Sequence, residues 1–271
     1  MRIAVLQMTS GIHPGHNCDA VVQAAGAARA GGAAMLYTPE MSLLLDRDRG
    51  RADRHMVRAE LDRYVAKLAH TARAHEVWIA LGSMAYATAE GRRVNRSFLF
   101  PPDGGDPATY DKIHMFDVDL ANGESWRESA AYVPGDRAVV VEHTPVGRLG
   151  LAICYDLRFP ALFGALSERR CDVVAVPSAF TVPTGQAHWH VLLRARAIEC
   201  SAYVVAAAQV GDHEDGRQTF GHSLVVDPWG DIILDMGGTE PGLGFADIDP
   251  GRIAEVRRQL PSLANRRTFT T

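Results

Sequence analysis

The chain has 271 residues, 47% of them hydrophobic and 22% charged, the balance of an ordinary globular protein long enough to bury a sizeable core. A formal net charge of −4 offers no basic footprint for nucleic acid and no attraction to an anionic membrane surface. Four cysteines, Cys18, Cys154, Cys171 and Cys200, show no CxxC spacing, which excludes a redox pair or zinc knuckle of that type and argues against a disulfide framework.

The first residues, MRIAVLQMTSG, run straight into a strand-like segment without an apolar leader. No run of about 18 apolar residues follows anywhere. The expected location is therefore the cytoplasm. Residues 2–8 read as a buried strand, and the Ala-rich stretch 17–30 as a helix stopped by Gly31-Gly32. Residues 33–37 are a second apolar strand, closed by Thr38-Pro39-Glu40. Between 54 and 75, Met56, Leu61, Tyr64, Val65, Leu68 and Ala72 recur at nearly helical period. A strand over 77–86 follows. Next come two strand pairs, 93–100 with 109–114 and 138–143 with 148–153. Residues 159–169 read as helix, 172–177 as strand and 186–200 as helix. Strands over 203–209, 219–227 and 231–235, with a turn at Pro228-Trp229-Gly230, precede a last helix over 251–259. The order predicts an α/β protein with mixed sheets in a single domain over 1–271. Residues 211–216 read as a solvated loop.

In α/β folds, functional side chains gather where strands end. Three reactive side chains occupy such places: Glu40 after the strand at 33–37, Lys112 after the short strand leading to it, and Cys154 at the end of LGLAIC. Singly, each has a plainer role: a first-turn acid, a solvated charge beside Asp111, a core thiol. Together they make a set for acyl transfer. The thiol is a nucleophile once deprotonated, the carboxylate can take its proton and hand it to a leaving amine, and the ammonium can hold an oxyanion. The set needs no cofactor.

The motifs extend beyond these three. TPEM at 38–41, YDKIHMFD at 110–117, GLAICYDLRFP at 150–160, PSAF at 177–180, TGQAHWHVLLRARAIE at 184–199, YVVAAAQ at 203–209 and GHSLVVDPWG at 221–230 run in order along most of the chain. In these residues the chain resembles the nitrilase, or carbon–nitrogen hydrolase, superfamily, most of all its deaminated-glutathione amidase branch. The resemblance implies a four-layer αββα sandwich, assembled as a homodimer or larger homo-oligomer, with the tail at about 261–271 a candidate for a subunit interface. It places the catalytic Glu, Lys and Cys on Glu40, Lys112 and Cys154, and a lysine-orienting glutamate on Glu128 rather than Glu124. It implies that Tyr155 supplies a backbone N–H to the oxyanion, and that Phe180 and Thr181 contact substrate. The reaction implied is thiol-dependent hydrolysis of a small-molecule amide of a carboxylic or keto acid. Deaminated glutathione leads, with 2-oxoglutaramate (the ω-amidase reaction) second. Nitrile or carbamoyl-amide hydrolysis follows, and a non-catalytic structural relative is disfavoured by the intact set of three. The loop segments 181–183 and 211–216 are expected to line or cover the pocket, and His190 stands where relatives commonly carry a glutamate.

Other features compete for attention. His188 and His190 lie two apart on a helix and so point to different faces, which argues against their sharing a metal; His188 is assigned to bracing the substrate pocket, and no metal site is expected. Asp156 and Arg158 are read as local hydrogen-bonding or interface residues, and Arg194 and Arg196 as ion-pair or interface residues. Asn95-Arg96-Ser97 fits a glycosylation triplet, which carries no weight without a secretory leader.

Overall fold

Alternation of apolar and small residues in short segments, separated by helical stretches, builds two sheets. The computed structural model describes residues 1–271 apart from 121, 122, 124, 269 and 271; Glu124 therefore lies outside the described residues. In chain order the strands are β1 (Arg2–Gln7), β2 (Met35–Tyr37), β3 (Trp78–Ala87), β4 (Arg93–Phe100), β5 (Ala108–Asp111), β6 (Asp117–Asp119), β7 (Ser125–Arg127) and β8 (Val139–Thr144). They continue as β9 (Gly147–Leu151), β10 (Val173–Ala175), β11 (Tyr203–Ala206), β12 (Val210–Asp212), β13 (Gln218–Phe220), β14 (Leu224–Val226), β15 (Ile232–Asp235) and β16 (Gly242–Asp247). The helices are α1 (Pro14–Ala30), α2 (Arg49–Asp53), α3 (Arg58–Ala74), α4 (Pro160–Glu168), α5 (Val182–Cys200) and α6 (Pro250–Gln259).

One six-stranded sheet has the order β16-β1-β2-β3-β4-β5 and the other β15-β14-β11-β10-β9-β8. Each is parallel at its centre and antiparallel toward its edges. The two-residue period of a strand decides which layer each side chain enters. Ile3, Val5, Met35 and Tyr37 join Leu149, Leu151, Val173 and Ala175 in the core between the sheets. Ala4 and Leu36 point the opposite way, against Val21, Ala25 and Leu68 of α1 and α3. On the far side, Phe163, Trp189 and Leu193 of α4 and α5 complete the same apolar cluster as the second sheet. The layers are thus helix, sheet, sheet, helix, as the resemblance implied.

Several boundaries differ from the sequence reading. The strand expected over 219–227 is two strands, because Gly221 (φ 71°) and His222 (φ 53°) both take left-handed backbone and turn the chain between β13 and β14. The segment read as loop at 211–216 begins as β12, paired antiparallel with β13. Helix α5 starts at Val182 rather than 186, since Pro183 in the first turn forfeits no helical hydrogen bond. β16 and the β6–β7 hairpin escape a periodicity reading because they are short, half exposed and rich in Gly or Asp. Among the described residues, no helix is long and apolar enough to cross a membrane.

Candidate active site

The first sheet delivers two of the expected residues and the second sheet one. Glu40 lies in the loop leaving β2, a loop that crosses tightly over β3: a Cβ at Gly82 would sit 2.1 Å from the Thr38 carbonyl oxygen and 2.5 Å from Pro177 Cβ, so only glycine fits there. Lys112 follows β5, its N–H donating to the Asn95 carbonyl at 2.9 Å. Cys154 follows β9 after Ile153, its N–H donating to the Pro177 carbonyl at 2.9 Å. It opens a 3₁₀ turn, Cys154–Arg158, with φ of 49°, a conformation that costs a non-glycine residue free energy and persists only where neighbours enforce it.

The enforcing neighbour is Asp156, fully buried two residues on. Its carboxylate accepts from Ile153 N at 2.9 Å, His114 N at 3.0 Å and Tyr110 OH at 2.7 Å, and lies 2.7 Å from His114 Nδ1. His114 stacks on Phe159 with ring centres 3.6 Å apart. The local hydrogen-bonding role read for Asp156 is therefore the geometry found: it ties the turn after β9 to the segment after β5.

Lys112 is the hub of the charged cluster. Its Nζ lies 2.8 Å from Glu40 Oε1, 2.8 Å from Glu128 Oε2 and 3.0 Å from Glu128 Oε1. The side chains are 2% (Lys112), 7% (Glu40) and 13% (Glu128) exposed, so these pairs are little screened by water. Glu128 is anchored further by Phe116 N–H at 2.7 Å, and Glu40 by Ala179 N–H at 3.1 Å. Gln209 Nε2 donates to the Glu40 carbonyl at 2.9 Å and fixes its backbone. Burial by itself pushes the lysine pKa down, but the charges of Glu128 and Glu40 outweigh it and hold the ammonium well above its ordinary value. The Cys154 thiol is pushed well above its ordinary value, first by burial and then by the Glu40 carboxylate it hydrogen-bonds, with Lys112 pulling the other way. The raised value favours the thiol form, and the Glu40 carboxylate beside it can accept its proton.

A cavity of about 1450 Å³ opens over this cluster. Glu40, Lys112, Glu128 and Cys154 line it together, and Tyr155, Phe180 and Thr181 form part of its wall. His188 does not: it is exposed on α5, outside the lining, and meets the site only through Arg158, whose Nη1 is 3.2 Å from His188 Nδ1. The side chain that the sequence reading put in the pocket is thus a neighbour of a pocket residue, because helix periodicity turns Trp189 inward and leaves His188 out.

Two residues have a larger share in the site than the sequence reading gave them. Asn95 on β4 is buried, and its Nδ2 donates to Glu40 Oε1 at 3.0 Å and Glu128 Oε1 at 3.2 Å. Its sequence context, the polar run Asn95-Arg96-Ser97 before Phe98-Leu99-Phe100, does not mark it as a buried residue. Arg158 lines the cavity, its guanidinium over the rings of Tyr155 and Phe180 at 5.8 and 5.3 Å, and among the described residues it has no carboxylate partner. A cation left free on the wall of a buried site is equipped to bind an anionic group.

Comparison with known proteins identifies the family. The family model described as carbon-nitrogen hydrolase matches residues 2–258. A protein named deaminated glutathione amidase from Synechocystis sp. is 38% identical over 267 residues, covering 97% of each chain. The crystal structure of the C. elegans NitFhit protein superposes with a TM-score of 0.89 at 35% identity, over 98% of this chain and 65% of that one. An amidase from Nesterenkonia sp. AN1, solved after Michael addition of acrylamide at its active-site cysteine, matches with a TM-score of 0.79 at 28% identity over 97% of this chain and 99% of that one. The chain belongs to the carbon–nitrogen hydrolase family and is an enzyme of that class.

Proposed function

We propose that this protein is an amidase that hydrolyses a small amide bearing a carboxylate, with deaminated glutathione as substrate, through a thioester on Cys154. The observation that carries the reading is the convergence of Cys154, Glu40 and Lys112, all buried, on one cavity whose wall holds Arg158, which meets no carboxylate among the described residues. The cavity volume of about 1450 Å³ leaves room for a tripeptide-sized substrate as well as for 2-oxoglutaramate.

Glu40 takes the thiol proton of Cys154 as Sγ attacks the amide carbon. The oxyanion is held by Lys112 Nζ and by Tyr155 N–H, which lies in the first turn of a helix and so lacks an intrahelical acceptor. As the C–N bond breaks, Glu40 returns the proton to the leaving amine, here cysteinylglycine. A water then enters, gives its proton to Glu40 and attacks the thioester. The C–S bond breaks, 2-oxoglutarate leaves, and the Cys154 thiolate recovers its proton from Glu40. Lys112 remains protonated throughout, because Glu128 and Glu40 favour its ammonium form. Arg158 binds the keto-acid carboxylate and sets the scissile bond over Sγ.

Cys154→Ala tests the mechanism: turnover is expected to vanish while the circular dichroism spectrum and melting transition persist, and unchanged turnover would refute it. Comparing kcat/KM for deaminated glutathione and 2-oxoglutaramate tests the substrate. A large preference for 2-oxoglutaramate, or no activity on either, would overturn the assignment.

A further inference from the structure

His190, set apart from His188 by its place on the helix, finds its partners far along the chain. Its Nε2 lies 3.1 Å from Asp235 Oδ2. From the other side, His222 Nδ1 lies 2.9 Å from Asp235 Oδ1 and 3.2 Å from Oδ2. Nitrogen and carboxylate oxygen atoms of the three residues all fall within 4.8 Å of one another. We infer that His190, His222 and Asp235 form a binding site for a divalent transition ion of the zinc class, with three protein ligands and the fourth position open to solvent.

Ligand separation supports this. Zinc in four-coordinate sites binds nitrogen and oxygen at about 2.0–2.2 Å, which sets ligand atoms roughly 3.3–3.5 Å apart around a tetrahedron. With Asp235 Oδ2 as the shared oxygen, its distances to the two imidazole nitrogens are already 3.1 and 3.2 Å. The second carboxylate oxygen is occupied: Oδ1 accepts from Gly237 N at 2.9 Å, the kind of outer contact that fixes a ligating carboxylate and leaves its other oxygen for the ion.

The ligands are also held before any ion arrives. His222 has left-handed backbone, its N–H bound to the Gly237 carbonyl at 2.8 Å and its ring stacked on Phe220 with centres 4.5 Å apart. His190 is carried by α5, and Asp235 ends β15. Three separate elements thus meet at one point. Their side chains are 27–33% exposed, which leaves an entry path and room for a water. Two imidazoles and one carboxylate suit zinc, cobalt or nickel; calcium and magnesium prefer sets made of oxygen. Binding requires each ligating nitrogen to be free of its proton: an imidazolium gives one up, and a neutral ring protonated there carries its proton on the other nitrogen instead.

The plainer alternative is a carboxylate that only accepts hydrogen bonds from two imidazoles. Metal-free full-length protein titrated with Co²⁺ separates the two. The expected result is one ion per chain, the intense visible bands of four-coordinate Co²⁺, no thiolate-to-cobalt charge-transfer band, and displacement by Zn²⁺. Asp235→Asn keeps an acceptor and the shape but loses the ligand charge, and His190→Gln removes one imidazole; each should weaken Co²⁺ binding by at least about 100-fold. The inference is overturned if the wild-type protein gives no such bands, if the spectrum carries thiolate charge transfer and so reports Cys154 instead, or if both variants bind as tightly as wild type. Because the wild-type titration decides alone, a variant that fails to fold does not protect the inference.

Discussion

Replacing Asn95 by leucine removes a side chain of nearly equal size whose Nδ2 links the two carboxylates around Lys112. The amide orientation is not arbitrary: turned over, Asn95 would present Oδ1 to both Glu40 and Glu128. Each N–H to carboxylate bond is worth about 1.5–3 kcal/mol. Against that stands the Asn95 Oδ1 atom, buried without a hydrogen-bond partner among the described residues, whose removal returns about 1–3 kcal/mol. The lost bonds win, and the net cost is about 3 kcal/mol. At roughly 2–4 °C per kcal/mol for a domain of this size, Tm should fall by about 6–12 °C. Activity should suffer beyond stability, because Glu40 loses one of the contacts that set it against Cys154, and a misplacement of about 1 Å costs on the order of 10²-fold in rate. Scanning calorimetry and steady-state kcat, both at a temperature where the variant is fully folded, measure the two effects. A Tm within about 2 °C of wild type together with kcat within about threefold would refute the reasoning.

Lys112→Met leaves Glu40 and Glu128 facing each other in a buried site; it should destabilise by about 3–5 kcal/mol in denaturant melts and lower kcat by 10²-fold or more, roughly the cost of an oxyanion donor. Normal kcat would exclude Lys112 from the transition state. Arg158→Leu should raise KM by about 10²-fold for substrates carrying the keto-acid carboxylate and far less for a neutral amide analogue; equal effects on both would remove the anion-binding role. His213 is buried, with Nδ1 2.9 Å from the Ser10 carbonyl and Nε2 2.7 Å from Thr219 Oγ1, and burial lowers its pKa below the ordinary value of about 6.5. The unfolded chain then binds the proton more readily, so stability is full above about pH 6.5 and declines as pH falls below it. His213→Gln should flatten that decline between about pH 7 and 5 in urea melts; an unchanged slope would assign the acid sensitivity elsewhere.

The site was legible in the sequence where chemistry coincides with strand ends. Glu40, Lys112 and Cys154 each lie just past the end of a strand, and the surrounding motifs extend the pattern. Asn95 was not legible, because its hydrogen-bond partners lie 55 and 33 residues away and its local context resembles a surface triplet. Arg158 hid for a different reason: it follows Cys154 among polar residues, and only the fold shows that it lines the cavity and meets no carboxylate among the described residues. The break at Gly221–Ser223 was missed because a histidine in left-handed backbone leaves no compositional mark. His190 was weighed against its sequence neighbour, whereas its contacts are 32 and 45 residues downstream.

Glu40 and Lys112 ride on one sheet and Cys154 on the other. Their mutual alignment is therefore a measure of how the two sheets sit against each other. A slide between the layers would have to break the bonds that Asp156 accepts from Tyr110 and His114, and the bond from Ala179 N–H to Glu40, before it carried the thiol away from that carboxylate, yet nearly all of the apolar core would stay in contact. Dispersion contacts tolerate such a shift more readily than proton transfer does. On warming, catalysis should fail reversibly at temperatures where spectroscopy still reports a folded chain, so that turnover works as a vernier for the seam between the sheets.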